Sequence, residues 1–322
     1  MEDSDILKRN LVEVVTEKEL EDLLSQKKKP TTYCGFEVSG PVHIGTLVAV
    51  GKQIDFQELG WKVKILLADV HTLLNRKGEE DWINRMVEYW ETSFRLLGLK
   101  KAEFIRGSKF QFKEEYVRDV LNLGLESTLN RALRSMQEIA RDIDQARVSQ
   151  VIYPLMQVAD IKALEVDVAH GGMEQRKIHM LAREILPQIG GSKPVCVHGP
   201  LLASLQGPEV KMSSSKPETM IAVDDKPEDI QQKIKNAYCP PESEGNPILQ
   251  IVDLVLFPRL GKLKVQRPEK FGGDVAYSSI EELLSDYSEK KLHPADLKNG
   301  VADSLIEILN PVREALTKKG LT

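Results

Sequence analysis

The sequence has few cysteines and no long hydrophobic runs. Its three cysteines, Cys34, Cys196 and Cys239, are far apart and form no Cys-x-x-Cys pair, which excludes a disulfide framework or a metal site readable from spacing. We therefore expect them to be buried reduced thiols. The longest apolar runs, such as residues 65–68 and 254–257, fall far short of the roughly 20 residues that span a membrane. No membrane association is expected.

Positive charge is not in excess either. The chain has 322 residues, with 44 Lys and Arg against 49 Asp and Glu and a net charge of −5. A protein that coats nucleic acid without specificity needs a large basic field, so this class is excluded, although local basic clusters such as residues 27–29 occur. The acidic first residues lead into no apolar segment typical of secretion. We expect a cytoplasmic protein.

Apolar runs alternate with helical periods from Pro30 onward. Buried strands are predicted at residues 31–36, 62–69, 102–108 and 194–197, and a helix is predicted over residues 80–97. This alternation is typical of a parallel sheet covered by helices. Before it, residues 1–29 are predicted to form a helical segment, whose second helix begins at a capping box formed by Thr16 and Glu19.

Changes of composition divide the rest of the chain. Residues 113–150 are polar, basic and helical in pattern, and we interpret them as an insertion within a sheet domain of residues 30–206. Small and turn-forming residues over 207–226 predict a loop and linker. Residues 227–322 predict a separate C-terminal helical domain. The predicted fold class is α/β, with a helical insertion and a second, helical domain.

A strand, a glycine turn and an apolar helix follow one another over residues 33–46. Free N–H groups and the helix dipole at such a junction suit a phosphate group. Gly35 and Gly45 would let a nucleotide approach the backbone, and His43 could donate a hydrogen bond to a phosphate oxygen. Taken alone, the motif is also compatible with a purely structural histidine.

A second motif, KMSSSK at residues 211–216, lies in a loop flanked by Gly and Pro. Ammonium and hydroxyl groups on such a loop can stabilise charge on a leaving pyrophosphate, although a solvated linker has the same composition. Together with HIG at residues 43–45, the loop resembles the HIGH and KMSKS signatures of class I aminoacyl-tRNA synthetases. Thr46 replaces the last His of the first signature, and Ser214 replaces the second Lys of the other.

This resemblance implies a Rossmann-like catalytic domain that forms an aminoacyl-adenylate from ATP and then transfers the amino acid to tRNA. ATP is then a co-substrate, Mg²⁺ accompanies its phosphates, and no metal is held tightly by the protein. The residues implied in alignment and charge stabilisation are His43, Thr46, Lys211 and Ser214. The residues implied in ATP binding are Gly35, His43, Gly45, Lys211, Ser213, Ser214 and Ser215.

A polar stripe lies on an otherwise apolar helix after the insertion. Tyr153, Gln157 and Asp160 are spaced i, i+4 and i+7 and share one face, and Pro154 suits a first helical turn. A carboxylate on a buried face is costly unless a group donates to it. A structural hydrogen-bond network or a ligand would meet that need, and a phenol is a suitable donor. Tyr33 could supply a second hydroxyl to the same site.

This segment, together with GGMEQRK at residues 171–177, resembles tyrosyl-tRNA synthetases of the archaeal and eukaryotic type, along residues 7–315. The resemblance implies that Tyr33 and Asp160 hold the substrate phenol and that Leu66 lines the ring pocket. The residues implied around the amino group are Glu37, Tyr153, Gln157 and Gln175. A site that hydrogen-bonds a hydroxyl rejects phenylalanine without editing, and tyrosyl-tRNA synthetase is itself the established example of this rule.

The resemblance also implies tRNA(Tyr) as a partner. Arg134 in the insertion, with Arg176 and Lys177 beside the pocket, would meet the acceptor end, and Phe271 and Asp296 would meet the anticodon. An unstacked base can stack on an aromatic ring, and a carboxylate can accept from a guanine edge. Phe271 alone is equally compatible with a core aromatic. A homodimer is implied, with the insertion as its surface.

Three alternatives remain at this point. A tryptophanyl-tRNA synthetase shares the signatures, but Tyr33 and Asp160 suit a phenol better than an indole. A small-molecule nucleotidylyltransferase also uses an HxGH-type turn, although it would not need Phe271 and Asp296. A non-catalytic RNA-binding paralogue is suggested only by Thr46 and Ser214.

Overall fold

The computed structural model describes residues 3–136, 147–210, 212 and 216–322. The chain divides into two compact units. The first comprises Met1–Ser39, Lys52–Glu91 and Leu99–Pro200, and the second comprises Gly40–Gly51, Thr92–Gly98 and Leu201–Thr322.

The described α-helices are α1 (Asp3–Lys8), α2 (Glu17–Gln26), α3 (Ile44–Glu58), α4 (Asp69–Leu74), α5 (Glu80–Leu96), α6 (Glu114–Leu125), α7 (Leu129–Ser135), α8 (Val148–Ala163), α9 (Arg176–Ile185), α10 (Pro227–Asn236), α11 (Pro247–Ile251), α12 (Phe257–Leu260), α13 (Ile280–Ser288) and α14 (Pro294–Lys318). The described strands are β1 (Glu13–Val15), β2 (Thr31–Phe36), β3 (Lys62–Leu67), β4 (Glu103–Arg106), β5 (Val168–Gly172), β6 (Val195–Gly199), β7 (Leu263–Val265) and β8 (Val275–Tyr277). A π-helical turn occupies Val252–Leu256.

The first unit is built on a six-stranded sheet with the order β1-β6-β5-β2-β3-β4. All its neighbouring strands run parallel except β1, which pairs antiparallel with β6. From β2 the chain builds outward through β3 and β4, then returns to place β5 on the other side of β2. In open parallel sheets ligands bind at such a switch point, outside the carboxyl ends of the strands. The fold therefore places the most suitable binding crevice beyond β2 and β5.

The structure confirms the α/β class, and the strand over residues 31–36 has the predicted bounds. The strand predicted at 62–69 ends at Leu67, because Asp69 begins α4, a helix that was not predicted. Strand β5 was also missed. Its sequence VAHGG has a histidine and two glycines, so it lacks the unbroken apolar run that identifies a buried strand.

Residues 1–29 were predicted to form a helical segment, but the segment is not purely helical. The capping box at Thr16 is confirmed, with the Glu19 amide donating to the Thr16 hydroxyl at 3.2 Å. Just before it, Glu13–Val15 forms β1 and pairs with Cys196–His198 of β6. The segment therefore contributes an edge strand to the sheet.

The insertion is helical where it is described, with α6 and α7 following β4. Residues 137–146 of the predicted insertion lie outside the described residues. The next helix, α8, begins at Val148, so Pro154 lies inside it rather than in its first turn. The prediction for Pro154 was wrong because Gln150, whose side chain accepts from the Arg147 amide at 2.8 Å, starts the helix earlier.

The second unit is mainly helical, as predicted for the C-terminal part of the chain. It also contains the two-stranded antiparallel sheet of β7 and β8, which was not predicted. Both strands have only three residues, too few for a clear alternation of polar and apolar side chains.

Two of the three cysteines, Cys34 and Cys196, are buried free thiols as expected. Cys239 is only partly buried, which corrects the prediction, and its Sγ lies 3.4 Å from the Tyr287 hydroxyl. Among the described residues, no helix combines the length and apolar character that crossing a membrane requires.

Candidate active site

A cavity of about 260 Å³ opens in the first unit beyond the carboxyl end of β2. All seven residues predicted to bind tyrosine line it, together with Gly35. The lining residues are Tyr33, Gly35, Phe36, Glu37, Leu66, Ala68, His71, Trp90, Tyr153, Gln157, Asp160 and Gln175.

Asp160 of α8 forms one end of the cavity, and this residue is fully buried. Its Oδ1 accepts hydrogen bonds from the Gln111 amide at 2.7 Å and from the Tyr116 hydroxyl at 2.8 Å. Its Oδ2 has no hydrogen-bond partner among the described residues. Burial raises the pKa of Asp160 to about 7, against these two hydrogen bonds, which lower it. The carboxyl group is therefore held in place with one oxygen still able to accept.

One further buried polar atom at this end also lacks a partner among the described residues, Nε2 of His71. The His71 Nε2 lies 3.7 Å from the Asp160 Oδ2, too far for a hydrogen bond. Buried polar groups are normally satisfied, so these two unmet groups, both on residues that line the cavity, indicate a place for a polar ligand group. A hydroxyl, which both donates and accepts, meets that requirement.

Tyr33 is buried on β2 and faces the same cavity. Burial raises the pKa of its phenol well above the usual value, while a hydrogen bond from the Gln157 side chain lowers it. A Cβ added at Gly35 would lie 3.1 Å from the Tyr33 hydroxyl. Glycine at position 35 therefore keeps room for this phenol.

The other polar part of the cavity is formed by Glu37, Tyr153 and a pair of glutamines. Burial raises the pKa of Tyr153 well above its usual value, and the neighbouring Glu37 carboxylate, which the Tyr153 hydroxyl hydrogen-bonds, raises it further. The Gln157 amide donates to the Gln175 side-chain oxygen at 2.9 Å. Negative charge and amide oxygens near one another suit a cationic ligand group.

The HIG motif lies in the second unit at the start of α3. The Gly45 amide donates to Nδ1 of His43 at 3.2 Å, so the ring hydrogen of the neutral imidazole is on Nε2. Burial lowers the pKa of His43 to about 4. Thr46 is buried in the first turn of the helix, with its amide donating to the His43 carbonyl at 2.8 Å.

The second motif comes close to the first. The Ile44 amide donates to the Ile221 carbonyl at 2.9 Å, and His43 pairs with Ala222 as an isolated bridge. A Cβ added at Gly45 would lie 3.0 Å from the Met212 sulfur. The predicted residues Lys211, Ser213, Ser214 and Ser215 lie outside the described residues.

The residues predicted to contact tRNA lie on both units. Arg134 on α7 and Lys177 on α9 are exposed, whereas Nε of Arg176 donates to Glu13 at 2.8 Å. Phe271 is 60% exposed, with the Lys270 ammonium 4.8 Å from its ring centroid. The alternative of a core aromatic is therefore wrong for Phe271.

Asp296 lies in the first turn of α14, where His293 caps the helix by accepting from the Ala295 amide at 3.1 Å. Among the described residues, no three His, Cys, Asp or Glu side chains are grouped as a metal ion would require.

Sequence reasoning missed His71, Gln111 and Tyr116. Gln111 gave no signal, since the sequence around it, SKFQFKEE at residues 108–115, is largely polar. Tyr116 gave none either, because only the packing of α6 on α8 brings its hydroxyl to Asp160.

Comparison with known proteins identifies the family. Residues 25–310 match the tRNA synthetases class I (W and Y). A tyrosine–tRNA ligase of Methanopyrus kandleri is 50% identical over 315 residues, which cover 97% of this chain and 97% of that protein. One from Methanocaldococcus jannaschii is 50% identical over 318 residues, covering 98% of this chain and 100% of that protein.

A solved structure gives the same result. The crystal structure of tyrosyl-tRNA synthetase from Archaeoglobus fulgidus, complexed with L-tyrosine, has a TM-score of 0.93 and 48% identity, and covers 98% of each chain. These relatives act on tyrosine rather than tryptophan, and they do not support the nucleotidylyltransferase or the non-catalytic paralogue. The chain belongs to the class I tRNA synthetases of the tryptophan and tyrosine family, among its tyrosine–tRNA ligases.

Proposed function

We propose that the protein activates L-tyrosine with ATP, giving tyrosyl-adenylate and pyrophosphate, and then transfers tyrosine to the 3′ end of tRNA(Tyr). The observation that supports this most is the unmet Asp160 oxygen at the end of an apolar cavity. A tyrosine ring fits against Leu66, and its hydroxyl donates to Asp160 while Tyr33 contributes a second hydroxyl. Phenylalanine would leave the buried carboxyl without this donor.

The amino group of the substrate lies, in this proposal, among Glu37, Tyr153, Gln157 and Gln175, which line the same cavity. The substrate carboxylate attacks the α-phosphorus of ATP, the new C–O–P bond forms, and pyrophosphate leaves with the bonding pair. No general base is needed, because the carboxylate is already ionised at neutral pH. The protein supplies alignment and charge stabilisation.

For ATP we propose contacts from both signatures. The Nε2–H of His43 donates to a phosphate oxygen, and Thr46 contributes from the first turn of α3, whose N-terminus favours an anion. Lys211 and Ser214 stabilise the leaving pyrophosphate. Further proposed ATP contacts are Gly35, Gly45, Ser213 and Ser215. Mg²⁺ would accompany the ATP phosphates and neutralise part of their charge.

The first test is amino-acid-dependent ATP–pyrophosphate exchange without tRNA, with tyrosine, phenylalanine and tryptophan in parallel. We expect exchange with tyrosine and far less with the other two, because only a phenol satisfies the Asp160 recess. Exchange with tryptophan instead would show that the recess was wrongly interpreted. Absence of exchange with all three would contradict the proposed reaction.

For tRNA(Tyr) we propose two contact regions, with Arg134, Arg176 and Lys177 at the acceptor end and Phe271 and Asp296 at the anticodon. Phe271 supports this because it is exposed on a loop that is itself well held. In that loop the Arg267 side chain donates to the Gly273 carbonyl at 2.6 Å and to the Lys291 carbonyl at 2.8 Å. A rigid loop that presents an exposed ring suits base stacking.

Replacing Asp296 by alanine is expected to lower the kcat/KM of aminoacylation by about tenfold to a hundredfold, the usual cost of losing a base-edge contact. ATP–pyrophosphate exchange should not change, since it needs no tRNA. Asp303, an exposed carboxylate on the same helix, gives the matched control Asp303→Ala, which should leave both assays unaffected. Equal losses in exchange and aminoacylation for Asp296→Ala would contradict the role.

We also propose a homodimer formed through the insertion. Along α6, Val117, Leu121 and Leu125 repeat at i, i+4 and i+8 and are exposed. Leu129 and Val148 are exposed apolar residues of the neighbouring helices α7 and α8. An exposed apolar patch of this kind marks an interaction surface, and a two-fold contact uses the same patch on both copies.

Replacing Leu121 by glutamate is expected to convert the dimer to a monomer, raising its dissociation constant by about a hundredfold or more, because an unpaired charge would be buried at the contact. Sedimentation velocity over a concentration series measures this. Leu201→Glu alters a leucine that is similarly exposed outside the insertion and should leave the dimer intact. A monomeric unmodified protein would refute the proposal.

The proposed functional divisions are an N-terminal segment (1–29), a catalytic domain (30–206) with its insertion (113–150), a signature loop and linker (207–226) and an anticodon-binding domain (227–322). Because its substrates are tRNA and ATP, we place the protein in the cytoplasm.

A further inference from the structure

The turn that follows α4 holds both oxygens of the Glu37 carboxylate. The Asn75 side-chain amide donates to Oε1, and the Lys77 ammonium lies 2.5 Å from Oε2. The Glu37 side chain is 15% exposed and that of Lys77 is 46% exposed. The Glu37 carboxylate therefore lines the cavity, and it is held by two side chains that do not line the cavity themselves.

The backbone of this turn is shaped to bring both side chains to Glu37. The Asn75 amide closes the last turn of α4 on the His71 carbonyl at 3.0 Å, and the Lys77 amide returns to the Thr72 carbonyl at 3.1 Å. Between them Arg76 has φ +56°, in the left-handed region, which costs a non-glycine residue about 1 kcal/mol or more. The chain reverses there, so residues 75 and 77 both reach one carboxylate.

The same helix contributes to the opposite end of the cavity. His71, one helical turn before Asn75, lies at the Asp160 recess, and residues at i and i+4 share a helix face. The Thr72 hydroxyl also accepts from the Val38 amide at 3.1 Å, which ties the chain just after Glu37 to α4. Helix α4 and its turn thus contribute side chains at both polar ends of the cavity, His71 near Asp160 and Asn75 at Glu37.

We propose that Asn75 and Lys77 are positioning residues, which hold the Glu37 carboxylate in the orientation that receives the ammonium group of the substrate. This inference rests on the proposed function. Each carboxylate oxygen accepts about two hydrogen bonds, so the ammonium group binds in addition to Asn75, Lys77 and the Tyr153 hydroxyl and displaces none of them. Without them, the carboxylate would have to be ordered when the substrate binds, which weakens binding.

The test compares two inhibitors of tyrosine-dependent ATP–pyrophosphate exchange. Tyramine has the phenol and the ammonium group but no carboxylate, and 3-(4-hydroxyphenyl)propanoate has the phenol and the carboxylate but no ammonium group. In Asn75→Ala and in Lys77→Met, the inhibition constant of tyramine should rise by about tenfold, the effect of one charge-assisted hydrogen bond. The inhibition constant of the propanoate should not change, because this compound has no ammonium group for Glu37 to bind.

Two control variants separate positioning from simple charge and from folding. Arg76→Gly removes a positive charge from the same turn and keeps its backbone, since glycine adopts the left-handed conformation without cost; tyramine inhibition should not change. Lys77→Arg keeps a donor at the Glu37 carboxylate and should restore most of the tyramine affinity. A merely structural role for the turn would instead weaken both inhibitors together.

The outcomes also separate this inference from the proposed function. Equal weakening of tyramine and the propanoate would overturn the positioning role. Tighter tyramine binding in Lys77→Met would overturn it as well, because Lys77 would then compete with the ammonium group for Glu37. If the unmodified protein gave no tyrosine-dependent exchange, the proposed function would fail, whatever the variants did.

Discussion

Replacing His43 by alanine is expected to slow adenylate formation by about a hundredfold to a thousandfold, the usual cost of removing one donor that stabilises a transition state. Tyrosine affinity should not change, because His43 does not line the tyrosine cavity. Single-turnover formation of adenylate, measured beside equilibrium binding of tyrosine, separates the two effects.

The physical reason lies in the tautomer of the ring. The Gly45 amide occupies Nδ1, which leaves Nε2–H as the donor, and the low pKa of His43, about 4, keeps the ring neutral. Protonation of His43 should therefore not affect the rate between pH 6 and 8. Only as the pH falls towards 4 would the ring gain a proton on Nδ1 and lose its hydrogen bond from Gly45.

A conservative variant is the control for His43. His43→Asn keeps an amide donor at the start of α3 and should retain part of the rate. If His43→Ala weakened tyrosine binding as much as it slowed adenylation, the residue would act through the structure rather than through the phosphates.

Replacing Asp160 by alanine is expected to lower the kcat/KM of tyrosine activation by about a hundredfold or more, because the buried acceptor of the substrate hydroxyl is lost and the Gln111 amide loses its partner at 2.7 Å. The Tyr116 hydroxyl keeps the Met156 carbonyl, to which it also donates at 2.8 Å. Phenylalanine has no hydroxyl to lose, so its activation should change much less. Exchange kinetics with both amino acids would show that the ratio of kcat/KM for tyrosine to kcat/KM for phenylalanine falls by a similar factor.

Asp119→Ala is the matched control for Asp160. Asp119 lies on α6 and pairs with Lys162 of α8 at 2.6 Å, so it joins the same two helices without lining the cavity. We expect this variant to cost some stability while the ratio of tyrosine to phenylalanine activation stays constant. An unaltered ratio in Asp160→Ala would contradict phenol recognition by this residue.

The fold class could be predicted because recognised strands contain short apolar runs, as in residues 65–67 of β3 and residues 195–197 of β6. Strand β5 could not be predicted, because its last two residues are glycines, which on their own do not favour a strand. Its place is set by pairing with β2 and β6. Helix α4 is only six residues long, too short for a helical period to be evident.

For the site, the prediction was best where the relevant residues share one element or one motif. Gln157 and Asp160 lie on one helix, so their spacing showed that they share a face. Gln111 and Tyr116 hydrogen-bond the Asp160 carboxylate from other segments of the chain. No local sequence pattern predicts these contacts. Asn75 and Lys77 were missed for a similar reason, because their common partner Glu37 lies about 40 positions earlier in the chain.

Strand β1 gives the sheet a short edge on one side, since it has only three residues. A strand at the edge of a sheet presents unpaired N–H and C=O groups, on which a strand of another molecule can pair and begin an aggregate. Residues 13–15 cover that side of β6, and the Glu13 carboxylate in addition accepts from His198 and Arg176. Removing residues 1–15 would therefore expose β6 as a template for aggregation and leave His198 and Arg176 without this carboxylate.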